Sequence, residues 1–181
     1  MTTATKKPYL SRLGRNQVTP AVGEIYDHYQ RTRGNVPNMF RTIAHRPEIL
    51  ETMIAHFQAV QNTGTLPLKL KELVIVRTSQ INDCEYCLAS HCVLAKKLGW
   101  SQEQIDHLAD FESRSDFTPA EKAALRLAES VTANVHPLPE AQFDELRGFF
   151  EEGEIVELIA AIGLFNYFNR FNNALLMEPT V

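Results

Sequence analysis

The residues best suited to chemistry lie between positions 72 and 91. Cys84 and Cys87 form a Cys-x-x-Cys pair, His91 follows the second cysteine by four residues, and Glu72 precedes the first by twelve. A thiol becomes a nucleophile as its thiolate, and a second thiol one helical turn away makes its oxidation a reversible thiol–disulfide cycle. The imidazole and the carboxylate can exchange protons with such a thiol. These residue types at this spacing indicate a redox pair beside a proton relay.

A helix that begins beside the cysteines would position them. We expect Asn82 or Asp83 to cap this helix, which places Cys84 in its first turn. At about 100° per residue, Cys84, Cys87 and His91 then share one face of the helix. The unpaired N–H groups at a helix start lower the pKa of a thiol there, and this effect alone favours Cys84 as the more acidic cysteine.

The segment that carries Glu72 could be a buried strand or a helix, because Val74-Ile75-Val76 is β-branched throughout. No other part of the chain resembles a partner strand, and five positions follow helical spacing: Leu70, Leu73, Val74, Arg77 and Ile81. We therefore predict a helix over residues 68–81. A three-residue turn after this helix would allow Glu72 to fold back beside the thiols.

The rest of the chain also predicts helices, so the fold class is all-α and resembles a helical bundle. Thr19-Pro20 is a helix start, Gly34 and Gly99 are helix ends, and Ser101-x-x-Gln104 and Thr118-Pro119-x-Glu121 are capping boxes. The other predicted helices run from Pro20 to near Gly34, from residues 36–38 through Ile43, from Pro47 to an end within residues 62–64, over 84–98, near 102–110 and 119–133, over a segment lined by Phe143, Leu146 and Phe150 that Gly153 ends, and from 154 to about 176. We expect residues 1–18 to form an irregular arm and residues 19–181 a single domain.

Several polar and small residues have structural interpretations. Asn166, Asn169 and Asn173 recur along the last helix, which is typical of a buried hydrogen-bonded network or a subunit contact. Gly163 on the same helix could let another helix approach closely. Cys92 lies about 140° around its helix from Cys87, so we interpret it as a packing residue.

Composition excludes several classes of protein. The chain has 181 residues, 44% hydrophobic and 22% charged, with a formal net charge of −4. This is a soluble globular composition, and the negative charge argues against a nucleic-acid surface. No apolar run is long enough to cross a bilayer and the N-terminus has no apolar signal core, so we expect a cytoplasmic protein. Three cysteines form neither a disulfide framework nor a four-cysteine zinc site.

The central motif resembles the signature of the alkylhydroperoxidase D family, within the carboxymuconolactone decarboxylase superfamily of all-helical proteins. The matching pattern is Glu72-x11-Cys84-x2-Cys87-x3-His91. Residues 33–41 and 166–174 are also similar to parts of the peroxidase-related branch of this family. The resemblance therefore covers about residues 20–178, and the four-residue constellation is much more specific than a bare Cys-x-x-Cys.

The resemblance implies reduction of organic hydroperoxides without a cofactor. Cys87 would attack the peroxide and become a sulfenic acid, and Cys84 would then close the disulfide. Glu72 and His91 would relay protons. The resemblance also implies a thiol or lipoyl-bearing protein as reductant and a homo-oligomer, often a trimer or hexamer.

One residue departs from the family pattern. The family's peroxidase has a further histidine immediately before the second cysteine, where this chain has Tyr86. A phenol, with a pKa of about 10, donates hydrogen bonds but is a poor base at neutral pH. The proton relay must therefore differ from that of the family.

Three alternative functions are consistent with the same residues. The first is a cofactor-independent decarboxylase or isomerase of the carboxymuconolactone decarboxylase type, although those relatives generally lack the Cys-x-x-Cys pair. The second is a zinc site built from two cysteines, one histidine and a glutamate. The third is a non-enzymatic redox-sensing or metal-binding protein that uses the same cysteines.

Overall fold

The computed structural model describes residues 8–180, so the first seven residues of the predicted arm and Val181 lie outside this range. Within it, the chain forms nine α-helices and no strand, which confirms the all-α prediction. The helices are α1 Pro20–Arg33, α2 Asn38–Ile43, α3 Pro47–Asn62, α4 Leu68–Ile81, α5 Glu85–Lys97, α6 Gln102–Asp106, α7 Pro119–Thr132, α8 Glu140–Arg147 and α9 Glu152–Ala174. The single domain over residues 19–181 stays a prediction.

The helix ends follow the predicted local signals. The Thr19 hydroxyl accepts a hydrogen bond from the Val22 backbone N–H at 3.3 Å and so caps α1. Gly34 ends α1 with φ of +80°, a left-handed conformation that glycine adopts without steric cost. Ser101 and Thr118 form the two predicted capping boxes at the starts of α6 and α7.

Three predictions near the C-terminal half were wrong. Helix α8 ends at Arg147, with Gly148 as its C-cap, so Phe150 lies beyond it. Gly153 lies in the first turn of α9, where the Glu154 carboxylate accepts a hydrogen bond from the Glu151 backbone N–H at 3.0 Å. With this cap, α9 begins at Glu152, before Gly153. Apart from the nearby backbone of α9 itself, no described atom lies within 4 Å of the position that a Gly163 Cβ would occupy, so no other described helix approaches there.

Helix α4 lies at the centre of the fold and packs against α5, α7 and α9. Its Val74 and Ile75 belong to the main hydrophobic cluster, while its Leu73 and Val76 belong to a second cluster around Trp100. Four consecutive apolar residues therefore contact neighbours on different sides of α4, which explains why this segment also resembles a buried strand. The central position also buries the polar residues of α4, including Glu72.

None of the helices within residues 8–180 combines the length and the apolar character needed to cross a membrane.

Candidate active site

The turn between α4 and α5 positions the cysteine pair. Cys84 itself is the N-cap of α5, so it precedes the first turn rather than lying within it as predicted. Asn82 is instead the C-cap of α4, and its φ of −83° and ψ of 1° differ from the extended backbone of an N-cap. Asp83 has φ of +50°, which differs from the extended backbone that an N-cap requires.

Both thiols are buried, and each is a free cysteine. Their side chains are hydrogen-bonded to one another. Cys87 is 4% exposed and forms part of the wall of a cavity, whereas Cys84 is fully buried and is not among the described residues that line the cavity. A small molecule in the cavity would therefore reach Cys87 first.

The pKa values of the two thiols are shifted in opposite directions. The hydrogen bond from Cys87 lowers the pKa of Cys84 to about 7, against burial, and backbone N–H groups at the start of α5 contribute to the lowering. The same hydrogen bond, together with burial and the charge of Cys84, raises the pKa of Cys87. The pair therefore loses one proton near neutral pH and shares a single negative charge, with Cys84 favoured in the direction expected from the helix dipole.

Glu72 and His91 form a hydrogen-bonded pair in the same cavity wall. His91 Nδ1 lies 2.8 Å from Glu72 Oε2, and the His91 ring meets the ring of Phe165 edge to face. Because a carboxylate accepts hydrogen bonds, Nδ1 carries the proton and Nε2 is left as the basic nitrogen. Glu72 is 0% exposed, so its carboxylate is shielded from solvent.

Lys71, the cation next to Glu72 in sequence, binds groups on other helices. Lys71 is buried, and its ammonium group lies 2.7 Å from Glu157 of α9. It also donates to the carbonyls of Val60 and Thr63 at 2.8 Å. These contacts join the end of α3 to α4 and α9, and they leave the charge of Glu72 to act on His91.

The cavity has a volume of about 510 Å³, within the range of about 300–1,000 Å³ that is typical of small-molecule sites. Cys87, Glu72 and His91 supply polar groups to its wall. Much of the remaining wall is aromatic, formed by Tyr29, Phe40, Phe57, Phe165 and Phe168. Such a wall suits an organic molecule with an apolar body.

Sequence reasoning missed the residue of α9 that touches the reactive pair. Asn172 Nδ2 lies 3.5 Å from Cys87 Sγ, and the side chain of Asn169 lowers the pKa of both thiols. Asn166 and Asn169 are buried in the predicted network, whereas Asn173 is exposed and donates to the Asn82 carbonyl. The spacing i, i+3, i+6 of Asn166, Asn169 and Asn172 was the signal that could have identified the inward face.

Tyr86 anchors neighbouring segments instead of replacing the family histidine as a base. Its hydroxyl accepts a hydrogen bond from the Met39 backbone N–H at 3.1 Å and lies 3.2 Å from the Thr180 hydroxyl. Burial raises the pKa of Tyr86, so the phenol stays neutral at neutral pH. The side chain therefore joins α5 to α2 and to the C-terminal segment.

Substituting Tyr86→Phe should lower the free energy of unfolding by about 1 kcal/mol, because a part-buried hydrogen bond to the backbone is lost. Urea denaturation of the reduced protein measures this change. Tyr167→Phe is the matched control, since Tyr167 is 43% exposed, and we expect its effect to stay within about 0.5 kcal/mol. Equal stability of the two variants would contradict the anchoring role.

The part of the chain that is described contains no set of ligands for the zinc site considered above. Within residues 8–180, no group of three or more His, Cys, Asp and Glu side chains is arranged to hold one metal ion. His91 instead pairs with Glu72, and the two thiols pair with each other.

Sequence comparison now assigns the family. Residues 47–130 match the carboxymuconolactone decarboxylase family. The uncharacterized protein YdfG of Bacillus subtilis (strain 168) is 31% identical over 106 residues, which cover 58% of this chain and 72% of YdfG. The chain therefore belongs to the carboxymuconolactone decarboxylase family.

Two solved structures share the fold. One is an alkylhydroperoxidase AhpD core, an uncharacterized peroxidase-related protein from Ralstonia eutropha JMP134. It is 26% identical, with a TM-score of 0.87, over 98% of this chain and 94% of that chain. The debrominase Bmp8 is 22% identical, with a TM-score of 0.81, over 96% of this chain and 92% of its own. At the identity of Bmp8, the likeness concerns the fold alone.

Proposed function

We propose that this protein is a thiol-dependent peroxidase that reduces organic hydroperoxides through Cys84 and Cys87. The observation that carries the proposal is that Cys87 and the hydrogen-bonded Glu72–His91 pair line the same aromatic-walled cavity. The likeness to a peroxidase-related protein supports it. The decarboxylase alternative gives no role to two buried, hydrogen-bonded thiols.

In the first step, the Cys87 thiolate attacks the terminal oxygen of the hydroperoxide. The O–O bond breaks, sulfur is oxidised to sulfenic acid, and the alkoxide leaves. His91 takes the proton of the Cys87 thiol and returns it to the alkoxide, which departs as an alcohol. Glu72 stabilises the imidazolium that forms between these transfers. Although Cys84 holds the charge more readily, Cys87 lines the cavity and therefore acts as the nucleophile.

In the second step, the Cys84 sulfur attacks the sulfenic acid at Cys87. The S–O bond breaks, a disulfide forms, and the hydroxide leaves as water with the proton of the Cys84 thiol. The low pKa of Cys84, about 7, suits this attack at neutral pH. A thiol or lipoyl-type protein then reduces the disulfide. This reductant and a homo-oligomeric assembly belong to the same proposal and rest on the family resemblance, whereas the cytoplasmic location stays a sequence-based prediction.

Thiol counting in a single turnover tests the function. The fully reduced protein, freed of reductant, receives cumene hydroperoxide, and both the alcohol formed and the remaining thiols are measured. We expect one alcohol for every two thiols lost, with the third thiol, Cys92, retained. The Cys92→Ser variant serves as the control and should give the same ratio. If the hydroperoxide and all thiols persist, the protein is not a peroxidase and the decarboxylase alternative gains support.

A further inference from the structure

We infer that Asn172 is a further catalytic residue, whose side-chain amide holds the Cys87 sulfur and stabilises both its thiolate and the sulfenic acid formed from it, and that the neighbouring amide of Asn169 assists it. The thiolate part of this inference stands on the geometry alone. The sulfenic acid part rests on the proposed function.

The contact with sulfur is direct and shielded from water. Asn172 Nδ2 donates to Cys87 Sγ at 3.5 Å, and Asn172 is only 1% exposed. Asn169 is fully buried and lowers the pKa of both thiols. Hydrogen bonds to an ionised acceptor are stronger than neutral ones, and they gain further where water does not compete. The amides therefore act most strongly when the sulfur is charged.

Other side chains fix the orientation of the Asn169 amide. Its Nδ2 donates to the Ser79 hydroxyl of α4 at 3.1 Å, and its Oδ1 accepts from Asn82 Nδ2 at 3.1 Å. The Asn82 carbonyl in turn accepts from Asn173 at 2.7 Å. Donors that are held in place before the reaction stabilise developing charge without the cost of reorientation.

The Asn172 amide also presents an acceptor that the reduced site does not use. Its Oδ1 is buried and has no hydrogen-bond partner among residues 8–180. A thiolate requires only donors, whereas a sulfenic acid carries a hydroxyl group that can donate. Asn172 therefore offers Nδ2 to the sulfur and Oδ1 to the hydroxyl group that oxidation adds.

Among the groups that shift the pKa of Cys87, the amides of α9 are the ones that favour its thiolate. The hydrogen bond with Cys84, burial and the charge of Cys84 raise the pKa of Cys87, while Asn169 and Asn172 lower it. The other titratable groups that line the same cavity are Tyr29, Arg33, Glu72, Tyr86, His91 and Lys97, and His91 is bonded to Glu72. Neutral dipoles from α9 thus favour the thiolate on the cysteine that faces the cavity.

The pH profile of Cys87 alkylation tests the inference. In a Cys84→Ser, Cys92→Ser background, Cys87 is the sole cysteine of the chain, and iodoacetamide reports its thiolate. Adding Asn172→Leu should slow alkylation at neutral pH by about tenfold and move the profile to higher pH, since a hydrogen bond to a charged group is lost. Asn172→Gln, which keeps the amide on a longer side chain, should recover part of the rate.

Asn38→Leu is the matched control, because Asn38 is a buried asparagine whose amide donates to the carbonyls of Glu178 and Pro179. It should leave the profile in place. Circular dichroism confirms folding, and Asn172→Ala replaces the leucine variant if that variant is unfolded. A folded Asn172 variant with the parental profile would overturn the inference. The assay uses no hydroperoxide, so this result is independent of whether the protein is a peroxidase.

Discussion

Replacing Cys87 with serine should abolish hydroperoxide reduction, whereas replacing Cys84 with serine should stop the reaction at a sulfenic acid on Cys87. The difference follows from position, because Cys87 lines the cavity and Cys84 is fully buried. A serine hydroxyl cannot replace a thiolate as the nucleophile. Mixing each reduced variant with an organic hydroperoxide and a sulfenic-acid trapping reagent, followed by mass spectrometry, locates the oxidised sulfur.

Cys92→Ser is the control for this pair of variants. Burial raises the pKa of Cys92, so its thiol is a poor nucleophile at neutral pH and its loss should leave the reaction unchanged. The contrary result would be sulfenic acid trapped on Cys84 in the Cys87→Ser variant, together with an inactive Cys84→Ser variant. That result would mean that acidity, rather than access to the cavity, selects the attacking thiol.

Replacing Glu72 with glutamine should slow thiol oxidation by about 100-fold, at the lower end of the usual contribution of general acid–base catalysis. Glutamine can still accept a hydrogen bond from His91 Nδ1, but it removes the buried negative charge that stabilises the imidazolium. The single-turnover rate of thiol loss, followed by stopped flow, measures the effect. His91→Asn should slow the reaction at least as much.

Asp110→Asn provides the matched control, since Asp110 faces His107 at 3.6 Å and both side chains are largely exposed. Its rate should equal that of the wild type. Urea denaturation of Glu72→Gln separates catalysis from folding, because a variant that remains folded under the assay conditions shows that the loss of rate does not come from unfolding. A wild-type rate in Glu72→Gln would show that the Glu72–His91 pair takes no part in the proton transfers.

Local signals explain why most helices were predictable from the sequence. Thr19, Ser101 and Thr118 cap the helices that follow them, and Gly34 ends α1, because each signal acts within a few residues. The prediction failed at the start of α5, where contacts distant in sequence hold the turn. Asn82 ends α4 as its C-cap, its side chain donates to Asn166 and Asn169 of α9, and the N-cap position falls to Cys84.

The candidate site was predictable only in part, because several of its contacts join residues that are distant in sequence. The spacing of Cys84, Cys87 and His91 indicated redox chemistry, since one helix start holds all three. The contact of Glu72 with His91 depends on how the turn after α4 folds, which spacing permits but does not determine. The contact of Asn172 with Cys87 depends on the packing of α9 against α5, which no local pattern encodes.

Mapping the disulfide after one turnover tests the central claim most directly. The reduced Cys92→Ser variant is treated with one equivalent of an organic hydroperoxide, alkylated and cleaved after Glu85, which lies between the two remaining cysteines. We predict that the fragment with Cys84 remains joined to the fragment with Cys87 until a reductant is added, and that one equivalent of alcohol forms. Separate, alkylated fragments and unconsumed hydroperoxide would contradict a peroxidase that works through this cysteine pair.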